Sequence, residues 1–188
     1  MNLPNRLTIL RMLMVPAFIT TLLYWTPDRG MLGIAALAIF LAACATDGLD
    51  GWIARRTGQK TRLGSLLDPM ADKILLTSAY LALAWLPSIP DGARLPAWLA
   101  VVVLSRDIML VTGTAVIFIM QNRFEAKTNF LGKLTTVLQM ALIVASLAGA
   151  PEELIQVMVI TVAAATALSG VVYLRFGSAR LGGGTEHA

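Results

Sequence analysis

Six stretches of this chain are apolar and close to the length a helix needs to cross a bilayer, and no other feature constrains the fold as strongly. They run over roughly 7–25, 31–52, 65–86, 95–120, 130–149 and 153–174. The hydrocarbon core takes about 20 residues of α-helix, and only structures that satisfy their own backbone polar groups persist there. Of the 188 residues, 57% are hydrophobic and 14% charged, where a soluble domain carries roughly a quarter charged. The expected fold is all-α: an integral membrane bundle of six transmembrane helices, preceded by a short interfacial N-terminal helix segment. No linker or internal repeat divides it, so residues 1–188 read as a single membrane domain with a polar tail from about 176.

The breaks between segments carry turn chemistry: Thr26, Pro27, Asp28 and Gly30, then Pro87 to Gly92, then Gly149, Ala150 and Pro151. Lysine and arginine set the orientation. Arg6, Arg11, Arg55, Arg56, Lys60, Arg62, Arg123, Lys127, Lys133, Arg175 and Arg180 fall on one side, and only Arg29 and Arg94 on the other. The basic-rich side faces the cytoplasm in such proteins, so both termini are expected there. The net charge of +4 sits in loops between apolar runs, which points to anionic lipid and topology and away from nucleic acid. The lone cysteine, Cys44, lies in an apolar run as a small packing residue. The N-terminus shows no short apolar run followed by an A-x-A-like cleavage site, so the first segment is expected to be retained.

Against this background the segment "DGLDGWIARRTGQKTRLGSLLDPMADK" is out of place. Asp47 and Asp50 are spaced i,i+3, and Asp68 and Asp72 i,i+4; on helices each pair shares a face. The pairs lie at the cytoplasmic ends of adjacent antiparallel segments, within reach of a water-soluble reactant. Four converging carboxylates in low dielectric repel one another unless a cation neutralises them. Arg55, Arg56 and Lys73 are at hand, or a bound metal. Hard oxygen donors in this number suit Mg²⁺ or Mn²⁺, commonly as a pair with substrate phosphate completing the shells. Gly48, Gly51 and Ala54 flatten the helix face beside the acids, and Gly64 does the same at the start of the third segment. Such small-residue faces also serve helix packing.

These residues spell D-x-x-D-G-x-x-A-R-x8-G-x3-D-x3-D from Asp47 to Asp72. The pattern resembles the signature of the CDP-alcohol phosphatidyltransferases. "NLPNRLTILRMLMVP", "LDPMADK" and "LGKLTTVLQM" extend the likeness, toward the branches that make phosphatidylglycerophosphate and cardiolipin. The resemblance implies transfer of a phosphatidyl group from CDP-diacylglycerol to an alcohol, with loss of CMP, by a homodimer in a bacterial-type inner membrane. It implies two divalent metals, Mg²⁺ or Mn²⁺, held by Asp47, Asp50, Asp68 and Asp72, with Asp72 also the base that deprotonates the attacking hydroxyl. Gly48, Gly51, Ala54, Arg55 and Gly64 would hold the CDP moiety. No Ser, Cys or His is read as a nucleophile here (Ser65 is the one serine between Asp47 and Asp72, Cys44 is a packing residue and His187 is in the polar tail), so direct in-line displacement is expected.

The acceptor turns on cations elsewhere. An acidic acceptor such as glycerol 3-phosphate needs a cationic pocket, for which Arg11, Arg106, Lys127 and Lys133 are the candidates. Arg106 and Asp107 stand inside an apolar segment, where ionisable residues mark function or form a buried salt bridge. "SRDIML" departs from the Arg-Glu and Leu-Arg pattern of phosphatidylglycerophosphate synthases toward the cardiolipin synthases, whose acceptor is phosphatidylglycerol. Glycerol 3-phosphate is the favoured acceptor and phosphatidylglycerol the alternative. A small ion transporter is the rival of another class, but it would place its acids near the bilayer midplane with broken helices or repeats.

Overall fold

A computed structural model describes the backbone over residues 3–57, 62–121 and 130–182, and side chains over 9–26, 28–46, 73–113 and 130–175. Among the described residues there are six α-helices and no strand: α1 (Leu3–Leu23), α2 (Gly30–Thr57), α3 (Arg62–Trp85), α4 (Ala97–Gln121), α5 (Phe130–Leu147) and α6 (Glu152–Gly182). Three stretches are long and apolar enough to cross a membrane, Asp91–Gly113, Phe130–Leu147 and Glu152–Arg175; Ile9–Leu23, Gly30–Thr46 and Lys73–Trp85 are shorter apolar helices among the described residues. Among the described residues this is an all-helical membrane protein.

The interfacial segment expected ahead of the first span is not a separate element. Leu3 to Leu23 is one helix, because Pro4 falls in its first turn, where the missing N–H and fixed φ suit the chain. Pro16 lies inside the same helix without ending it, and Thr20 Oγ1 donates to the Pro16 carbonyl at 2.7 Å; the carbonyl Pro16 itself cannot serve, having no N–H, is that of Met12. The tail from about 176 begins as helix. The last helix continues to Gly182, since residues 175–181 hold no proline and a glycine run begins only at 182.

The turns end where the chemistry says they should. Gly149 adopts φ 71°, while Ala150 N–H donates to Ala145 O and Gly149 N–H to Ser146 O. This Schellman arrangement satisfies the last carbonyls of α5, and Pro151 then precedes the acidic first turn of α6, Glu152 and Glu153. At the same end of the bundle, Leu95 N–H returns to Leu83 O at 3.1 Å, closing the α3–α4 hairpin.

α1 packs on both α2 and α3, α4 on α3 and α6, and α5 on α2 and α6. The core is apolar and aromatic at its centre, with Phe18 and Phe40 rings 5.7 Å apart beside the fully buried Leu22, Leu75, Leu76 and Leu83. Outward positions such as Met31, Val111, Val157 and Ile160 are exposed and apolar, as a lipid-facing surface requires. Buried polar groups bridge the helices. Tyr80 donates to Gln139 O, Gln139 Nε2 to Thr166 Oγ1, and Thr135 Oγ1 to Leu131 O with Ala165 O at 3.3 Å. Interhelical bonds of this kind, rather than hydrophobic burial, hold helices together in lipid.

Candidate active site

Asp47, Gly48, Asp50, Gly51, Ala54 and Arg55 lie on the last part of α2, and Gly64, Asp68 and Asp72 on the first part of α3. Their side chains, and Lys127 altogether, lie outside the described residues. The backbone is helical without a break through every one of the four aspartates, so the i,i+3 and i,i+4 spacings are true helical spacings. α2 runs further than expected, to Thr57, and α3 begins earlier, at Arg62; the whole signature except its connecting residues therefore sits on helix.

The described side chains fix what surrounds this end of the bundle. The Phe18–Phe40 contact sets the register of the antiparallel α1–α2 hairpin. Position 11 lies seven residues before Phe18 on α1, toward the end of the hairpin where α2 carries Asp47. Arg11 is there and wholly buried, 0% exposed. An arginine so deep in an apolar bundle is costly unless it serves charge at its tip.

Arg106 and Asp107 are also buried, at 7% and 6% exposure, and they do not stand alone. Lys73 Nζ donates to Asp107 Oδ1 at 2.6 Å, and Arg106 Nη1 donates to the same oxygen at 2.9 Å. Arg106 Nη2 donates to Ser169 Oγ on α6 at 2.9 Å. Gly132 on α5 presses against the guanidinium: a Cβ there would lie 3.2 Å from Arg106 Nη2. Both terminal nitrogens of Arg106 are thus engaged, Nη1 by Asp107 and Nη2 by Ser169. Lys133, the next residue, is exposed.

Reading the sequence missed the partners. Lys73 directly follows Asp72, and Asp107 follows Arg106, but 34 residues separate the pair and no local spacing links them. Ser169 and Gly132 carried no signal at all. A hint existed in the charge inventory: α3 and α4 each bear an ionic group within an apolar segment, and neither is stable in lipid without a partner.

Taken together, the fold and this end of it define a helical membrane protein whose buried charges gather around an acid-bearing helix pair. The family model for CDP-alcohol phosphatidyltransferase matches residues 1–170, and the chain belongs to that family. It is 36% identical over 187 residues to a "Probable phosphatidylglycerophosphate synthase" of Mycobacterium tuberculosis, covering 97% of this chain and 84% of the relative. It is 34% identical to proteins named CDP-diacylglycerol--glycerol-3-phosphate 3-phosphatidyltransferase from Aquifex aeolicus and Bacillus subtilis, over 136 and 146 residues, each covering 72% of this chain and 70% of the relative.

Proposed function

We propose that this protein transfers a phosphatidyl group from CDP-diacylglycerol to glycerol 3-phosphate, releasing CMP and forming phosphatidylglycerophosphate. The observation that carries this is the family match across residues 1–170, joined to relatives of that printed activity over most of the chain. The uninterrupted helical backbone through Asp47, Asp50, Asp68 and Asp72 supports their use as one constellation.

The donor set fits a hard divalent cation: four carboxylates at helical spacing, with no thiolate or imidazole among them. Asp47, Asp50, Asp68 and Asp72 would hold Mg²⁺ or Mn²⁺, which, when bound, supplies neutralisation of charge on the diphosphate and on departing CMP. Gly48, Gly51, Ala54 and Gly64 leave the backbone open to the nucleotide, and Arg55 offers a fixed cation for a phosphate. Asp72 accepts the proton of the acceptor hydroxyl. The hydroxyl oxygen then forms a bond to the phosphatidyl phosphorus as the bond to the CMP oxygen breaks in line. Arg11, Arg106, Lys127 and Lys133 are assigned to the acceptor's phosphate, with Arg106 held between Asp107 and Ser169.

The same reading places six spans in a bacterial-type inner membrane, termini and site on the cytoplasmic side, in a homodimer. The lysine and arginine bias supports the orientation. The test is to supply the purified protein with CDP-diacylglycerol and either glycerol 3-phosphate or phosphatidylglycerol, and to identify the lipid formed. Phosphatidylglycerophosphate is expected from the first and nothing from the second. Cardiolipin from the second, with no product from the first, reassigns the acceptor.

A further inference from the structure

We propose that Asp107 is a positioning residue for the reaction. Through its ion pair with Lys73 it sets the axial and rotational register of the turn of α3 that carries Asp68 and Asp72, and Arg106, clamped by Ser169 and seated on Gly132, holds Asp107 in place. The proposal rests on the functional reading above, because it gives the pair a reaction to serve.

Three observations carry it. Lys73 is the residue next to Asp72 on a continuous helix, so whatever fixes Lys73 fixes the turn beside it. Its ammonium is bound at 2.6 Å by an acid that is itself buried, with side-chain exposures of 27% for Lys73 and 8% for Asp107. The acid is gripped in turn: Arg106 reaches it at 2.9 Å while its other Nη is tied to α6 and its edge meets the α5 backbone. One chain of contacts therefore runs from α6 and α5 through α4 to α3. A helix that slips by one residue moves 1.5 Å and turns about 100°, and misplacement near 1 Å costs a reaction on the order of a hundredfold. A buried ion pair contributes little net stability over an apolar substitute, but it fixes register. Asp107 Oδ2 and Arg106 Nε have no hydrogen-bond partner among the described residues, so the pairing is not the optimum of a purely structural bridge.

The test uses Asp107→Asn, Asp107→Glu and Ser169→Ala in the intact chain, Asp107→Glu being the variant that keeps the charge. Mn²⁺ binding by electron paramagnetic resonance is read beside kcat and the KM for each substrate. Asp107→Asn is expected to lower kcat by about tenfold or more and to weaken Mn²⁺ binding. Its KM for glycerol 3-phosphate should change less than about threefold, because positioning acts on the reacting groups and not on the acceptor's phosphate. Ser169→Ala should show the same pattern, smaller. Asp107→Glu, which keeps the charge, should lose less than Asp107→Asn. If Asp107→Asn does not fold, Asp107→Glu and Ser169→Ala carry the comparison. Normal kcat and Mn²⁺ binding in folded variants, or a loss confined to the KM of glycerol 3-phosphate, overturns the proposal. Wild-type protein that binds Mn²⁺ normally but makes no lipid contradicts the functional reading instead, and the Mn²⁺ comparison then still decides the role of Asp107.

Discussion

Gly132 and Arg106 meet backbone to side chain: a methyl group on residue 132 would lie 3.2 Å from Arg106 Nη2 and 4.0 Å from Ser169 Oγ. The guanidinium cannot easily retreat, since its two Nη atoms are held by Asp107 and Ser169. Alanine favours a helix over glycine by about 1 kcal/mol, but overpacking a filled site costs about 1–3 kcal/mol. Gly132→Ala should therefore lower the Tm in detergent by a few degrees, and Gly132→Val by more. An unchanged or higher Tm would mean that Arg106 moves aside at no cost.

Gly33 makes a comparable contact at the opposite end, where an added Cβ would fall 2.5 Å from Trp25 Cζ2. Trp25 is buried, so its ring must shift or α2 must move. Gly33→Ala should cost about 1–3 kcal/mol of stability yet leave kcat near normal, because that end bears none of the signature residues. Thermal unfolding and initial rates on the same preparation check both halves.

On the proposed metal assignment, chemistry should be lost when one of the four aspartates loses its charge. Asp47→Asn or Asp68→Asn is expected to abolish turnover while folding persists, and EDTA should stop the wild type until Mg²⁺ or Mn²⁺ is restored. Rates within a few-fold of wild type in either variant would remove the aspartates from the centre of the reaction.

Orientation can be read with thiol reagents in a Cys44→Ala background. A cysteine at position 60 should react only from the cytoplasmic side and one at position 91 only from the other. The reverse pattern would invert the bundle and put the site on the wrong side for CMP release.

Much of this was legible in the sequence, and the reasons are physical. The α2, α4 and α5 segments were apparent because an apolar run in lipid has only one way to satisfy its backbone; α5 starts at Phe130 as expected. The fused start of α1 was not, because Pro4 reads equally as a break or as a first-turn residue. The signature aspartates stood out because charge amid apolar residues is rare. Lys73–Asp107 and Arg106–Ser169 stayed hidden because they join residues 34 and 63 positions apart, and helix packing alone decides which of the buried charges meet.

Acceptor recognition should show in KM. Removing one charge-assisted contact costs about 1.5–3 kcal/mol, roughly one to two decades in kcat/KM. Lys133→Ala, at an exposed position, and Lys127→Ala should raise the KM for glycerol 3-phosphate and leave that for CDP-diacylglycerol nearly unchanged. Equal effects on both substrates would place these lysines at the nucleotide or in the fold.

The most direct measurement is incorporation of ³²P from labelled glycerol 3-phosphate into lipid by the purified protein with CDP-diacylglycerol and Mg²⁺, with CMP counted in the same reaction. Label should enter phosphatidylglycerophosphate in one-to-one ratio with CMP released, stop with EDTA, and be absent in Asp68→Asn. CMP released with no label in lipid, or label incorporated equally by Asp68→Asn, would contradict aspartate-centred phosphatidyl transfer to glycerol 3-phosphate.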